Sequence, residues 1–369
     1  MPEQNDKEID RLFQTAAKYE ASDLHLKVGA PPLLRLAGSL RPLEMKPLTD
    51  EDTRRLIEQI LTPRQKGLLE KIGSHDFAYS LKDVGRFRVN VFRQRGAISL
   101  AARRVKTIIP TVEQLHLPPA LLAIASYQQG LVIVSGVTGC GKSTTLAAMV
   151  EYVNTHERCH IVTIEDPIEY LFTDKKSYIN QREIGIDVLD WRMALKYVVR
   201  QDPDVIVIGE MRDADTFEAG LMAAETGHLV FGSLHSSTVA QTFGRMLDFF
   251  PADMHHSIRQ LLAFNLKAIV CQRLLPSCMA TVDRVPAVEI MLTSPIVRKL
   301  IMNAEDAKLL DAIRASRDEG MQDFNRALAE LVQKEFVSQQ MALDASPNPD
   351  ALKMLLRGIE TEKGRILAD

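Results

Sequence analysis

The residues from Gly136 to Ser143 spell G-V-T-G-C-G-K-S and satisfy the pattern G-x-x-x-x-G-K-[ST]. Glycines at these positions let the backbone curl so that its N–H groups converge. A helix opening immediately afterwards adds its partial positive charge at the same point. The loop (Gly136, Val137, Thr138, Gly139, Cys140, Gly141, Lys142, Ser143 and Thr144) is therefore built to cradle phosphate. Lys142 would reach the β- and γ-phosphates and Ser143 would ligate Mg²⁺, so ATP and Mg²⁺ are the expected ligands.

Four further groups bear on what happens to a phosphate held there. "DVIVIGE" is an apolar run ending in Glu210, a carboxylate placed to orient or deprotonate water or to hold Mg²⁺ through one. "TIEDPIEY" packs Glu165, Asp166 and Glu169 into five residues, and acids so near a triphosphate call for a metal or a proton between them. "HLVFGSLH" carries His228 at its start and His235 at its far end. A histidine at the far end can donate to a γ-phosphate and register its loss, whereas His228 suits a structural role equally well. Between Val84 and Arg104 lie six arginines and no acid. They form either a basic face for nucleic acid or a supply of arginine fingers, because guanidinium matches phosphate bidentately; spacing leaves both open. Cys140 lies one glycine before Lys142. A helix N-terminus and an ammonium both favour thiolate, so an open loop predicts a lowered pKa there. Alkylation should then be faster than at Cys159, which a strand start should bury.

Two kinds of element must position these residues. In the second half, "LVIVSG" (131–136), "HIVTIE" (160–165), "DVIVIGE" (204–210) and "HLVFGSL" (228–234) are continuous apolar runs, as in parallel strands buried on both faces. Helical patterns such as Asp190–Arg200 and Asp215–Thr226 lie between them, which predicts an α/β parallel sheet. From about Ala252 the pattern is mostly helical, including "MHHSIRQLLAFNLKAIV", and from Asp344 it is polar and peripheral. The first half differs. A helix with Ile9, Leu12 and Phe13 on one face leads into short strands, and Thr49 opens a second helix. In "RFRVNVF", Phe87, Val89 and Val91 face one way and Arg86, Arg88 and Asn90 the other. This predicts a small α+β domain over 1–112, then an α/β domain over 113–369 whose last residues, from about 344, form a peripheral tail.

The composition narrows the classes. With 369 residues, 46% apolar and 25% charged, the chain is neither collagen-like, disordered nor a small disulfide scaffold. The formal charge of −3 shows no global basic excess calling for nucleic acid. Residues 1–115 nevertheless hold 20 Lys and Arg against 15 Asp and Glu, so the remainder is acidic. No run approaches the ~18 apolar residues of a membrane span, and the polar start predicts no signal peptide. The four cysteines, with no C-x-x-C pair, give no expectation of zinc and suit a reducing cytoplasm.

The order GVTGCGKSTTLAAM, TIEDPIEY, DPDVIVIGEMRD and AAETGHLVFGSLHSS resembles the bacterial type IV pilus retraction ATPases, the twitching-motility PilT type of the hexameric secretion-ATPase superfamily. "SDLHLKVGAPPLLRLAGSLRP" and "FPADMHHSIRQLLAFNLKAIVCQRLL" extend the resemblance over about residues 10–340. It implies a PAS-like N-terminal α+β domain followed by a RecA-like P-loop ATPase domain with a helical C-terminal part. It also implies site roles: Glu169 as the essential glutamate of an acidic box, Glu210 as the Walker B glutamate, and His228 and His235 as a histidine box. Arg88 and Arg103 would be the arginines that reach the nucleotide, with Arg104 an adjacent competitor. The implied assembly is a homohexamer at the cytoplasmic face of the inner membrane, acting on the pilus platform protein, with no stable nucleic-acid partner. Two departures stand out. Cys140 replaces a serine of the usual loop, and "PIVRKLIMN" (295–303) keeps Arg298, Leu300 and Ile301 of the retraction segment but not its last arginine and glutamate. The second departure leaves an accessory retraction, secretion or assembly ATPase as alternatives. A RecA-like motor moving nucleic acid is the rival from another class.

Overall fold

The structure, a computed structural model, describes residues 7–36 and 38–359. The chain divides into two compact units at Thr107 and Ile108, a few residues ahead of the expected division. Among the described residues the first unit runs α1 (Glu8–Lys18), β1 (Asp23–Leu26), β2 (Leu33–Leu36), β3 (Ser39–Pro42), α2 (Asp50–Glu58), α3 (Pro63–Ile72), β4 (Ser74–Leu81), β5 (Gly85–Gln94) and β6 (Ala97–Arg104). The strands form one sheet in the order β3-β2-β1-β6-β5-β4, antiparallel throughout. Thr49 caps α2 reciprocally with Asp52, satisfying two N–H groups that the helix start leaves unpaired. Gln94 pairs with Ala97, and Arg95 and Gly96 between them have φ of 53° and 85°. A two-residue turn of this kind matches the right-handed strand twist.

Alternation along β5 and β6 sorts their residues onto two faces. Phe87, Val89, Val91, Ile98, Leu100 and Ala102 join Ile9, Leu12 and Phe13 of α1 and Leu56 and Ile57 of α2 in the core. Arg88 and Arg103 take the other face and stand directly opposite each other across the strand pair. Arg104 belongs to the helix-covered side, where its Nη1 donates to the Ala17 carbonyl at 3.3 Å. This unit is the PAS-like α+β half.

Among the described residues the second unit contains α4 (Ala120–Ala125), β7 (Gly130–Ser135), α5 (Lys142–His156), β8 (His160–Glu165), β9 (Tyr178–Glu183), α6 (Trp191–Val198), β10 (Val205–Ile208), α7 (Ala214–Glu225), β11 (Leu229–Leu234), α8 (Val239–Asp248) and α9 (His255–Asn265). It continues through β12 (Leu266–Pro276), β13 (Arg284–Leu292), α10 (Pro295–Met302), α11 (Leu309–Ala315), α12 (Phe324–Gln333), α13 (Gln339–Ala345) and α14 (Pro349–Leu356). The sheet order is β13-β12-β7-β11-β10-β8-β9. All neighbours are parallel except the β12–β13 pair. Every residue of β7, β10 and β11 is buried. Leu131 and Ile133 pack into the core on one side of the sheet, and Val132 and Val134 into that on the other. This is the RecA-like arrangement, with helices on both faces.

Two expectations need correction. The apolar run after Asn265, expected to continue a helix, is the strand β12. It is paired with β7 and β13 and buried over most of its length. A strand covered on both faces shows no alternation, so its pattern cannot be told from a buried helix. The stretch from Asp344, expected at the periphery, carries α14, whose Leu352 is fully buried in the main core. Residues 360–369 of that expectation lie outside the described residues. Among the described residues no helix is long and apolar enough to cross a membrane.

One buried acid ties the added strands to the parallel sheet. Glu289 of β13 is 3% exposed and accepts a hydrogen bond from the Val239 N–H at 2.6 Å, at the start of α8. Burial pushes its carboxyl up to about 7, against the lowering effect of that N–H. Between its ordinary 4.5 and about 7, the folded chain keeps a proton that the unfolded chain has lost. Stability therefore falls as pH rises through this window and stays low above it. Glu289→Gln keeps an acceptor for Val239 without the charge. Thermal melts should show little gain for this variant near pH 4.5 and a gain growing to roughly 3 kcal/mol by pH 8.

Candidate active site

Strand β7 delivers the chain to the C-terminal edge of the sheet, and the phosphate loop turns there into α5. Gly141 has φ of 95°, a left-handed conformation that glycine adopts without cost. A Cβ on Gly136 would lie 2.6 Å from the Gln272 carbonyl oxygen. Lys142, the first residue of α5, is nearly buried. Its Nζ donates to the carbonyls of Gly136 at 2.7 Å and Val137 at 3.3 Å. Burial lowers its pKa, opposed by Cys140, Glu210 and Glu169.

A cavity of about 550 Å³ opens over this loop. Gly139, Lys142, Ser143, Thr144, Glu169, Glu210 and His235 all line it, with Glu165, Asp166, Tyr170 and Arg212. The neighbouring strand ends hold its parts in place. Ser233 Oγ of β11 donates to the Gly209 carbonyl at 2.6 Å, fixing the backbone just before Glu210. Met211, just after it, is buried. A Cβ on Gly220 would lie 2.7 Å from the Met211 Cε, and one on Gly232 would lie 2.9 Å from its Sδ. Ser135 Oγ, at the end of β7, receives the Ser236 N–H at 3.1 Å and so fixes the residue after His235.

The polar groups form one chain. His235 Nδ1 lies 3.4 Å from Lys142 Nζ, and its Nε2 lies 3.0 Å from Glu210 Oε1. A proton on Nε2 satisfies both contacts, with the lysine donating to Nδ1 and Nε2 donating to the carboxylate. Glu210 Oε2 receives Arg212 Nη2 at 2.7 Å, and Arg212 Nη1 stands 3.9 Å from Asp166 Oδ2. Burial alone would raise the Glu210 carboxyl. The hydrogen bond and charge of Arg212, with His235 and Lys142, bring it below its ordinary value. Glu165 is different. Its burial raises its pKa, although Thr163 Oγ1 donates to it at 2.6 Å and Gln181 Nε2 at 3.2 Å. Thr144 Oγ1 and the Tyr170 hydroxyl are 2.8 Å apart, tying the first turn of α5 to the acidic segment.

The structure does not bring every expected residue here. His228 precedes β11, at the opposite end of the sheet from the loop. Its Nδ1 lies 2.9 Å from the Ala223 carbonyl oxygen, and it lines a separate depression with Cys159 and Asp204. A six-residue strand separates it from His235, roughly 20 Å at strand rise, so it makes no contact with the cavity of its own unit. Arg88 and Arg103 stand in the first unit. Arg103 Nε donates to Asp23 Oδ1 at 2.9 Å, and Arg88 Nε is 3.9 Å from Asp76. Arg212 went unassigned in the sequence, although its place two residues after Glu210 on the same strand-end loop was a usable signal.

Cys140 overturns an expectation. It is 3% exposed, and burial raises its thiol pKa despite Lys142 and the loop N–H groups. The loop curls its side chain inward against Gly136 instead of presenting it to solvent. Cys159 is the less buried of the two.

A phosphate loop of this geometry, on a RecA-like sheet with an acid and a histidine at adjacent strand ends, defines a P-loop ATPase. Residues 111–342 match the family described as "Type II/IV secretion system protein". The "Type IV pilus retractation ATPase PilT" of Pseudomonas aeruginosa is 39% identical over 343 residues, covering 93% of this chain and 99% of its own. The "Type IV pilus ATPase PilU" of the same organism is 37% identical over 350 residues, covering 95% and 91%. Of solved structures, "Crystal Structure of the Pilus Retraction Motor PilT and Bound ADP" matches with a TM-score of 0.87 at 40% identity, covering 94% of this chain and 99% of that one. The Legionella pneumophila ATPase DotB matches with a TM-score of 0.77 at 25% identity, covering 95% and 96%. The chain belongs to the type II/IV secretion system protein family, among its PilT-type ATPases.

The burial order of the cysteines sets their reactivity. Brief iodoacetamide treatment with peptide mapping should label exposed Cys278 first, Cys159 next, and Cys140 and Cys271 last. Early labelling at Cys140 would mean that the loop opens far more than its buried thiol implies.

Proposed function

We propose that this chain is an ATP-hydrolysing motor that powers type IV pilus retraction, working as a homohexamer against the platform protein at the cytoplasmic face of the inner membrane. The observation that carries the reading is the chain of contacts from Lys142 through His235 to Glu210 at the mouth of the phosphate loop. Its relatives' names supply the retraction role: "Type IV pilus retractation ATPase PilT" and, for a gonococcal relative, "Twitching motility protein".

Each residue has a stated part in this proposal. Lys142 exchanges the Gly136 and Val137 carbonyls for β- and γ-phosphate oxygens, and the loop N–H groups from Gly136 to Thr144 take the rest. Glu210, ionised and held at both oxygens, orients the water for in-line attack and accepts its proton, with Glu169 assisting. His235 contacts both Lys142 and Glu210 and senses the γ-phosphate through them. The donor set fits Mg²⁺ brought with the nucleotide. Ser143 offers a hydroxyl and Glu210, through a water, an ionised carboxylate on one cavity wall, and phosphate and water would supply the other donors that this cation prefers. The bound ion would offset charge on the phosphates.

Arg88 and Arg103 act as arginine fingers in this reading. Their register places two guanidiniums side by side on one face, a spacing suited to an anion. Arg104, turned to the helices, drops out of the role. His228 contributes at most from outside the cavity of its own unit.

Phosphate release and nucleotide binding test the chemistry. Glu210→Gln should bind ATP but turn over at least ~10²-fold more slowly, and Lys142→Ala should lose both. Arg88→Ala and Arg103→Ala should each cut turnover, by up to ~10³-fold, with the fold intact. Normal ATPase with altered DNA binding would favour a nucleic-acid motor instead. The cellular role has its own test, because Met302 and Asn303 stand where the retraction segment carries arginine and glutamate. Deleting the gene should abolish surface motility and leave excess pili. Motility that is merely weakened would point to an accessory retraction ATPase.

A further inference from the structure

Gln272 is a polar residue in the middle of β12, 3% exposed, and the chemistry proposed above does not use it. Cys271 pairs with Ser135, the last residue of β7, so Gln272 stands where the neighbouring chain leaves the sheet to form the phosphate loop. Its amide bridges two segments. Nε2 donates to the Cys140 carbonyl at 2.6 Å, and Oε1 accepts from Thr145 Oγ1 at 2.7 Å. The Cys140 carbonyl can only accept, which fixes the orientation of the amide. Gln272 also limits the glycines. A Cβ on Gly136 would lie 2.6 Å from its carbonyl oxygen, and one on Gly141 would lie 2.8 Å from its Nε2. One side chain thus meets the loop at its middle and at its end, and the helix in its first turn. Neither Gln272 nor Cys140 forms part of the cavity wall, so the bridge is made from behind the loop.

A loop that binds an anion must turn its N–H groups inward and its carbonyls outward. A carbonyl turned outward into a buried space costs free energy unless a donor meets it there. We infer that Gln272 is a positioning residue for nucleotide binding: it holds the Cys140 carbonyl away from the cavity and locks the loop to Thr145 of α5, so that the cradle is formed before the phosphates arrive. The inference rests on the nucleotide reading of the loop.

Binding of a fluorescent ADP analogue with Mg²⁺ to the full chain tests it. Gln272→Met keeps the bulk and loses both bonds, and it should weaken binding by about tenfold or more, the scale of a buried hydrogen bond lost. Thr145→Val added to it should cost no more than about a further twofold, because both changes cut one bridge. Gln272→Glu gives a distinct signature. Its ionised carboxylate would face the Cys140 carbonyl without a proton to donate, whereas the protonated acid can donate as the amide does. Burial raises the pKa of such a carboxyl. Its affinity, taken as a ratio to wild type at each pH, should therefore be poor at about pH 8 and recover towards unity by about pH 6. A packing role alone predicts no such recovery. A Gln272→Met affinity within about twofold of wild type, or a flat Gln272→Glu ratio, would overturn the inference. If Gln272→Met does not fold, the Gln272→Glu ratio decides. Failure of the wild-type chain to bind would instead overturn the nucleotide reading, and this inference with it.

Discussion

Burial of both faces of the parallel strands is the constraint on which the second unit depends. With helices packed on each side, β7, β10 and β11 have no solvent-facing row, and every one of their residues is buried. Polar chemistry is thereby expelled to the strand ends. Parallel direction puts all the C-terminal ends on one edge. The phosphate loop, Glu210 and His235 follow three strands that are neighbours in that sheet, and Glu169 follows a fourth. The site is a consequence of the sheet order before it is a consequence of any one side chain.

Within the site, charge is shared along a line of contacts. Lys142 rests on two loop carbonyls and His235, His235 on Glu210, and Glu210 on Arg212. Partial neutralisation along this line makes the burial of Lys142 and the partial burial of Glu210 tolerable. The lowered pKa values of Lys142 and Glu210 arise differently, the first from burial and the second from neighbours that overcome burial. In the proposed reading, a phosphate arriving at Lys142 would change the first link, and a single imidazole joins that link to the carboxylate.

Much of this was legible in the residues. The four apolar runs, the loop between the first run and its helix, and Glu210 and His235 at strand ends all follow from pattern and position. Resemblance alone singled out Glu169, Arg88 and Arg103; in the structure Arg88 and Arg103 share a face that Arg104 does not. What stayed hidden depended on distant pairing. The strand β12 carries no alternation because both its faces are covered, so its first residues, to Val270, read as helix, and nothing in the pattern marked Gln272 just beyond them. The Cys140 expectation failed for a related reason. The charge near the thiol was visible in the sequence, but the inward curl that buries it against Gly136 is a property of the folded loop. His228 and His235, read at the start and the far end of one strand, do stand at opposite edges of the sheet, so the histidine box implied by resemblance is not brought together within this unit.

The wedging of Met211 between α7 and β11 has a bearing on entropy. Its sulfur and terminal methyl fill the spaces left by two missing β-carbons, at Gly220 and Gly232, so the residue that follows Glu210 has almost no freedom. The backbone beneath the carboxylate is immobilised when the domain folds, once per lifetime of the molecule, and not at each turnover. Ordering a comparable loop from solvent would cost about 1–2 kcal/mol per residue every cycle. A motor that must fire repeatedly gains most from such an arrangement, because its moving parts can then lie elsewhere while the Glu210 carboxylate stays still.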